Sequence, residues 1–191
     1  MCGIAGHIPT AYDSAKPVDN APRITRMLDA LAHRGPDGRG LHIDPDTGVA
    51  LGHVRLSIID LTDDGAQPMF NEDRTIAITY NGEVYNYPAL RDELVALGHA
   101  FKSHTDTEVL VHGYEQWGIA GLLDRLRGMF AFAIYDKPKG LIHLARATRR
   151  GSSRCLSGAA PPALRSRPSP KRSRRLTPAR WRSRARCWPS R

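Results

Sequence analysis

The sequence has little cysteine: three in 191 residues, Cys2, Cys155 and Cys187, an odd count with no CxxC spacing. That excludes a disulfide-held scaffold and makes a reducing, cytoplasmic compartment the expected one. No apolar run approaches the roughly 20 residues needed to cross a bilayer, so no membrane span is expected. A basic flank followed by an apolar stretch, the mark of a secretory signal, is missing from the N-terminus. The eight histidines show neither HxxxH nor HExxH spacing, and there is no GxGxxG loop. On those patterns neither a bound metal nor a bound nucleotide is expected.

Acid is the most unevenly distributed absence. Residues 1–146 hold all 19 Asp and Glu against 14 Lys and Arg, whereas residues 147–191 hold 14 Lys and Arg and no acid. The overall charge of +9 is therefore the property of a tail, and the body is mildly acidic. Hydrophobic residues at 41% are ordinary for a globular chain, and a body of this length can bury a core. Residues 147–191 are Arg-, Ser-, Pro- and Ala-rich, with Trp181 and Trp188 as their only aromatics. Such a composition is expected to be disordered, since it cannot bury a core.

Within the body, Cys2 to Ile8 reads as a strand starting almost at the terminus, which needs a reason because termini usually fray. Ile24, Met27, Leu28 and Leu31 follow Pro22 at helical spacing, and Gly35-Pro36-Asp37-Gly38 reads as a turn followed by a loop. Val49 to Asp60 reads as a strand running into an irregular stretch, and Thr75 to Tyr80 as a strand stopped by an Asn81-Gly82 turn. Asn86-Tyr87-Pro88 opens a helix ending at Gly98, and Thr105 or Thr107 caps another that carries Val109, Leu110, Tyr114 and Trp117. Met129 to Tyr135 and Leu141 to Leu144 form a hairpin around residues 136–140. Strands and helices come in blocks, which predicts an α+β fold with mostly antiparallel sheets.

Cys2 directly after Met1 carries the most chemistry. Removal of Met1, expected when the second residue is small, would leave a thiol and a free α-amine on one residue. An α-amine titrates near ~7.7–8.0, so nucleophile and base would come together. Read alone, Cys2 is also a small buried cysteine, Arg55 and Asp106 are surface charges, and Asn81-Gly82 is only a turn.

Read together, six blocks in order change that balance: Cys2-Gly3-Ile4-Ala5-Gly6; His33-Arg34-Gly35-Pro36-Asp37-Gly38; Arg55-Leu56-Ser57-Ile58-Ile59-Asp60 with Gly65-Ala66-Gln67-Pro68; Asn81-Gly82-Glu83-Val84-Tyr85-Asn86; Thr105-Asp106-Thr107-Glu108-Val109; and Gly128-Met129-Phe130-Ala131-Phe132-Ala133. Residues 2–146 thereby resemble the glutaminase domain of the asparagine synthetases, a class II glutamine amidotransferase of the N-terminal-nucleophile hydrolase type. The resemblance implies a four-layer αββα sandwich, incomplete here at its C-terminal end. It implies that Cys2 is the nucleophile and that Asn81 and Gly82 form the oxyanion hole. It further implies that Arg55 holds the glutamine α-carboxylate, that Asp106 with Gly82 and Glu83 holds the α-ammonium, and that Leu56, Ser57, Ile58 and Ile59 line the pocket. No cofactor is implied for this chain; ATP and Mg²⁺ would serve a synthetase domain whose Ser-Gly-Gly-x-Asp-Ser loop is not in the sequence, and aspartate would accept ammonia there.

The resemblance stops at Arg146–Ala147, where the family continues with Asp, Gly and a Pro-Leu-aromatic run. GC-rich codons written for residues 146–156 and read from the third base give Arg-Asp-Pro-Ala-Gly-Lys-Gln-Pro-Leu-Phe, which restores that pattern. A frameshift origin for residues 147–191 is therefore expected. The other readings are a related amidotransferase with a different acceptor, and an inactive fragment whose basic tail grips nucleic-acid phosphates.

Overall fold

A computed structural model describes residues 2–9, 20–56 and 65–147 in full, and the backbone of 153–159 and 182–184. All strand pairings in it are antiparallel. The smaller sheet has β3 (Ala50–Arg55) in the centre, flanked by β1 (Gly3–His7) and β2 (Gly38–Ile43). The larger runs β4 (Met69–Phe70), β5 (Ile76–Val84), β6 (Gly128–Asp136), β7 (Leu141–Ala147), β8 (Ser153–Ala159) and β9 (Arg182–Arg184) in spatial order.

The alternation of side chains along these strands sets the layers. On the small sheet, Ala5, Ala50 and Val54 face helix α1 (Ala21–Leu31), meeting its buried Ile24 and Leu28. The opposite faces of the two sheets meet through Val49, Leu51, Ala77, Ala133, Tyr135 and Ile142. The far side of the large sheet, with Ile78, Tyr80, Phe132 and Ile134, packs under α2 (Tyr87–Ala96) and α3 (Asp106–Arg125). The order helix, sheet, sheet, helices is the expected αββα arrangement, with a gap between the sheets that their facing side chains fill.

Several local expectations are corrected. Asn81-Gly82 is no turn: β5 runs through to Val84, with Asn81 opposite Ala131 and Gly82 opposite Phe130. A Cβ at Gly82 would collide with the backbone of Met129 and Phe130, so this glycine serves close strand packing. Strand β2 was expected as loop because Gly38 and Gly40 weaken its propensity. Gly40 is there because any side chain would strike the Gln67 backbone, a contact made only in the folded chain. Helix α3 continues past Trp117 to Arg125, breaking at Gly118 (φ 64°). Thr105 is its N-cap residue but makes no capping bond; its hydroxyl meets that of Ser103 at 2.9 Å.

Ser153–Ala159 pairs along β7 and Arg182–Arg184 along β8. An open strand edge offers unpaired N–H and C=O groups to any extended neighbour, whatever its side chains. Among the described residues no helix is long and apolar enough to cross a membrane.

Candidate active site

Strand alternation puts Cys2 and Ile4, on the run into and along β1, and His53 and Arg55, on β3, on the small-sheet face that looks into the gap. Across the gap, Ala77, Thr79 and Asn81 share one face of β5, and the Thr79 hydroxyl donates to the carbonyl of Gly52 at 3.1 Å. Cys2 and Asn81 therefore belong to facing surfaces of one gap.

Cys2 is half-buried and held by backbone. The Leu56 N–H donates to its Sγ at 3.3 Å, and the same sulfur lies 3.5 Å from the Leu56 carbonyl. The Cys2 carbonyl accepts from Arg34 Nε at 3.2 Å, so the first strand is tied down almost to its end. That bond explains Arg34 in its block. Gly35 follows because a Cβ there would strike the Val54 backbone, and the Asp37 N–H donates to the Arg55 carbonyl at 3.0 Å.

Arg55 is half-exposed, and its guanidinium occupies the space that a Cβ on Gly65 would need, with the Thr105 methyl beside it. Gly65 is thus the residue that leaves room for Arg55. Next to Thr105, Asp106 is buried at the first turn of α3 and accepts from the Tyr80 hydroxyl and, at 3.0 Å, from the Val84 N–H. Burial raises its carboxyl pKa; these two donors oppose the shift, and the nearby Glu83 adds to it. A buried carboxylate held in that state is stabilised by an arriving cation. Glu83 itself is exposed. The Tyr80 phenol is raised as well, first by burial and then by Asp106, with Cys2 contributing. Leu56 is described and touches Cys2; Ser57, Ile58 and Ile59 lie outside the described residues.

Sequence reasoning missed Gln67 and His53. The Gln67 side chain accepts from the Tyr80 N–H at 2.6 Å and donates to the Thr107 hydroxyl at 3.2 Å. It takes over the β5 edge where β4 stops, and ties that strand to the turn of α3 carrying Asp106. Its place in the Gly65-Ala66-Gln67-Pro68 block was the available signal. His53 is 1% exposed, and its Nε2 has no hydrogen-bond partner among the described residues. Burial lowers its pKa to about 4; a hydrogen bond with the Tyr80 backbone opposes the shift and Arg55 adds to it.

The consequence for stability has a definite sign. His53 in the folded chain binds its proton only near pH 4, whereas the unfolded chain binds it from 6.5 downward. Stability present above pH 6.5 is lost as pH falls from 6.5 to 4, by about 3 kcal/mol at about 1.4 kcal/mol per unit. Urea unfolding at a series of pH values measures this loss. His53→Gln should flatten the profile in that window, and an unchanged slope in the variant would remove His53 as its cause.

Residues 1–152 match the family model of the glutamine amidotransferase domain. The chain belongs to this family. Asparagine synthetase [glutamine-hydrolyzing] 2 of Bacillus subtilis (strain 168) is 44% identical over 154 residues, covering 76% of this chain and 19% of that protein. Asparagine synthetase [glutamine-hydrolyzing] 3 of Arabidopsis thaliana is 44% identical over 136 residues, covering 71% and 22%. The chain thus spans about a fifth of the length of these relatives. Among solved structures, the glutamine phosphoribosylpyrophosphate amidotransferase of B. subtilis superposes with a TM-score of 0.59 at 24% identity, over 82% of this chain and 39% of that one. At that identity the likeness concerns fold alone, and it agrees with the sandwich described above.

Proposed function

We propose that this amidotransferase domain hydrolyses glutamine to glutamate and ammonia with Cys2 as the N-terminal nucleophile. The observation that carries the reading is the Cys2 sulfur at the second position of the chain, held by the Leu56 N–H at 3.3 Å on the face of the small sheet turned to the large one. With Met1 removed, the α-amine takes the thiol proton as Sγ attacks the carboxamide carbon of glutamine. Asn81 and the Gly82 N–H receive the tetrahedral oxygen. Collapse breaks the C–N bond, the protonated amine of Cys2 returns a proton to the departing ammonia, and water then hydrolyses the γ-glutamyl thioester. Arg55 takes the α-carboxylate as a planar fork of donors. Asp106 and Glu83 take the α-ammonium, which offsets the cost of the buried carboxylate.

In this reading ammonia passes to aspartate in an ATP- and Mg²⁺-dependent amidation, by analogy with the named relatives. That step needs a pyrophosphate-binding loop, and these 191 residues hold none. The test is to incubate the Met1-free chain with glutamine and measure both products. Equal release of glutamate and ammonia, with a transient γ-glutamyl adduct by intact mass after acid quench, supports the reading; glutamate formation with no adduct on Cys2 and no dependence on Met1 removal overturns it.

A further inference from the structure

On the side of α3 away from the gap, His99, His112 and Glu115 bring two imidazoles and a carboxylate together, with one ligand atom from each lying within 4.8 Å of the others. We propose that these three residues bind one divalent transition-metal ion of the Zn²⁺ class. His112 and Glu115 are three apart on the helix and so share a face, and His99 arrives from the loop between α2 and α3. Around a tetrahedral ion with bonds of about 2.0–2.1 Å the donors stand roughly 3.4 Å apart. Binding would draw the three donors in to that spacing, and His99 and Glu115 are the two ligands that are not fully buried.

The second observation is the surroundings of His112, whose side chain is 3% exposed. Its Nδ1 meets Glu115 Oε2 at 3.0 Å, while its Nε2 is buried with no hydrogen-bond partner among the described residues. That nitrogen faces the carboxylates of Glu72 and Glu108 at 3.7 Å each. Metal-bound histidines characteristically turn their second ring nitrogen to a carboxylate, which fixes the tautomer and the ring. The other ligands are supported in the same way. Asn71 Nδ2 donates to Glu115 Oε1 at 2.8 Å, leaving Oε2 for the ion, and His99 Nε2 lies 3.1 Å from Gln116 Oε1. Outer partners thus hold Glu115 Oε1 and His99 Nε2, whereas His112 Nδ1 and Glu115 Oε2 now meet each other, and an ion would replace the proton between them.

Two imidazoles with one carboxylate favour Zn²⁺-like ions over Mg²⁺ or Ca²⁺, which prefer all-oxygen sites. An ion here would join the loop carrying His99 to the helix. That loop is already clamped by Glu108, which accepts from the N–H groups of Lys102 and Ser103, and it leads directly into Asp106. The sequence did not announce the site because the loop and the helix supply ligands at no recognised zinc spacing.

The experiment uses the full chain, stripped with chelator and titrated with Zn²⁺ and then Co²⁺ in mildly alkaline buffer, where a proton competes less for His112. We expect one equivalent bound, a rise in Tm with Zn²⁺, and a Co²⁺ spectrum without thiolate charge transfer. His99→Ala and Glu115→Gln should each weaken binding about tenfold or more while their metal-free Tm stays near that of the wild type. Absence of a Zn²⁺-dependent Tm rise, equal affinity in both variants, or a thiolate band placing the ion at a cysteine would overturn the proposal. None of these readouts depends on glutamine hydrolysis.

Discussion

Cys2→Ala is expected to lower kcat for glutamine hydrolysis by at least about a thousandfold, because the variant has no group able to form the thioester. The same change should cost little stability. Cys2 is half-buried and its sulfur exchanges hydrogen bonds only with the Leu56 backbone, an interaction worth about 1 kcal/mol. The strand stays anchored by Arg34 Nε on the Cys2 carbonyl, which the substitution leaves in place. Cys2→Ser gives a second measure, since it keeps an acceptor for the Leu56 N–H but is a far weaker nucleophile. Unfolding curves close to wild type with glutamate release gone in both variants is the outcome the mechanism requires. Wild-type turnover by Cys2→Ala would remove Cys2 from the chemistry altogether.

Asn81→Ala should reduce kcat by about 10²–10³-fold with KM changed far less. An oxyanion donor acts on charge that develops after glutamine is bound, so its loss appears in the chemical step. The structure gives this expectation its particular form. Asn81 lies within β5, on the face toward the gap, and Ala131 opposes it on β6. Asparagine is a poor strand residue, and here no turn accounts for it. A raised KM with unchanged kcat would make Asn81 a ground-state contact and would leave the oxyanion to other donors.

How much of this was legible beforehand depends on where each signal lies. The chain-ordered blocks were readable because each is local: a Pro that opens α2, an alternation that makes β6, a cysteine beside the initiator methionine. The misreadings share one origin. Asn81-Gly82 has the local signature of a hairpin turn, yet β6 pairs with it and carries the strand onward to Val84. The stretch after the Gly35-Pro36-Asp37-Gly38 turn read as loop, but it forms β2, where the lack of a side chain at Gly40 is required by the Gln67 backbone packed against it. The pairing of Ser153–Ala159 with β7 was equally illegible, because backbone pairing asks nothing of side chains.

By itself the sequence determined the α+β class and the division between an acidic body and a basic tail, and it supplied the proposed nucleophile and the residues proposed to hold its substrate. These follow from local pattern and residue chemistry. Only the tertiary structure decided that Leu56 holds the Cys2 sulfur, that Gly65 makes room for Arg55, that Gln67 ties β5 to the helix bearing Asp106, and that His99 meets His112 and Glu115. Each of these joins residues far apart along the chain or fixes a backbone path, and such distances are set by how whole layers pack.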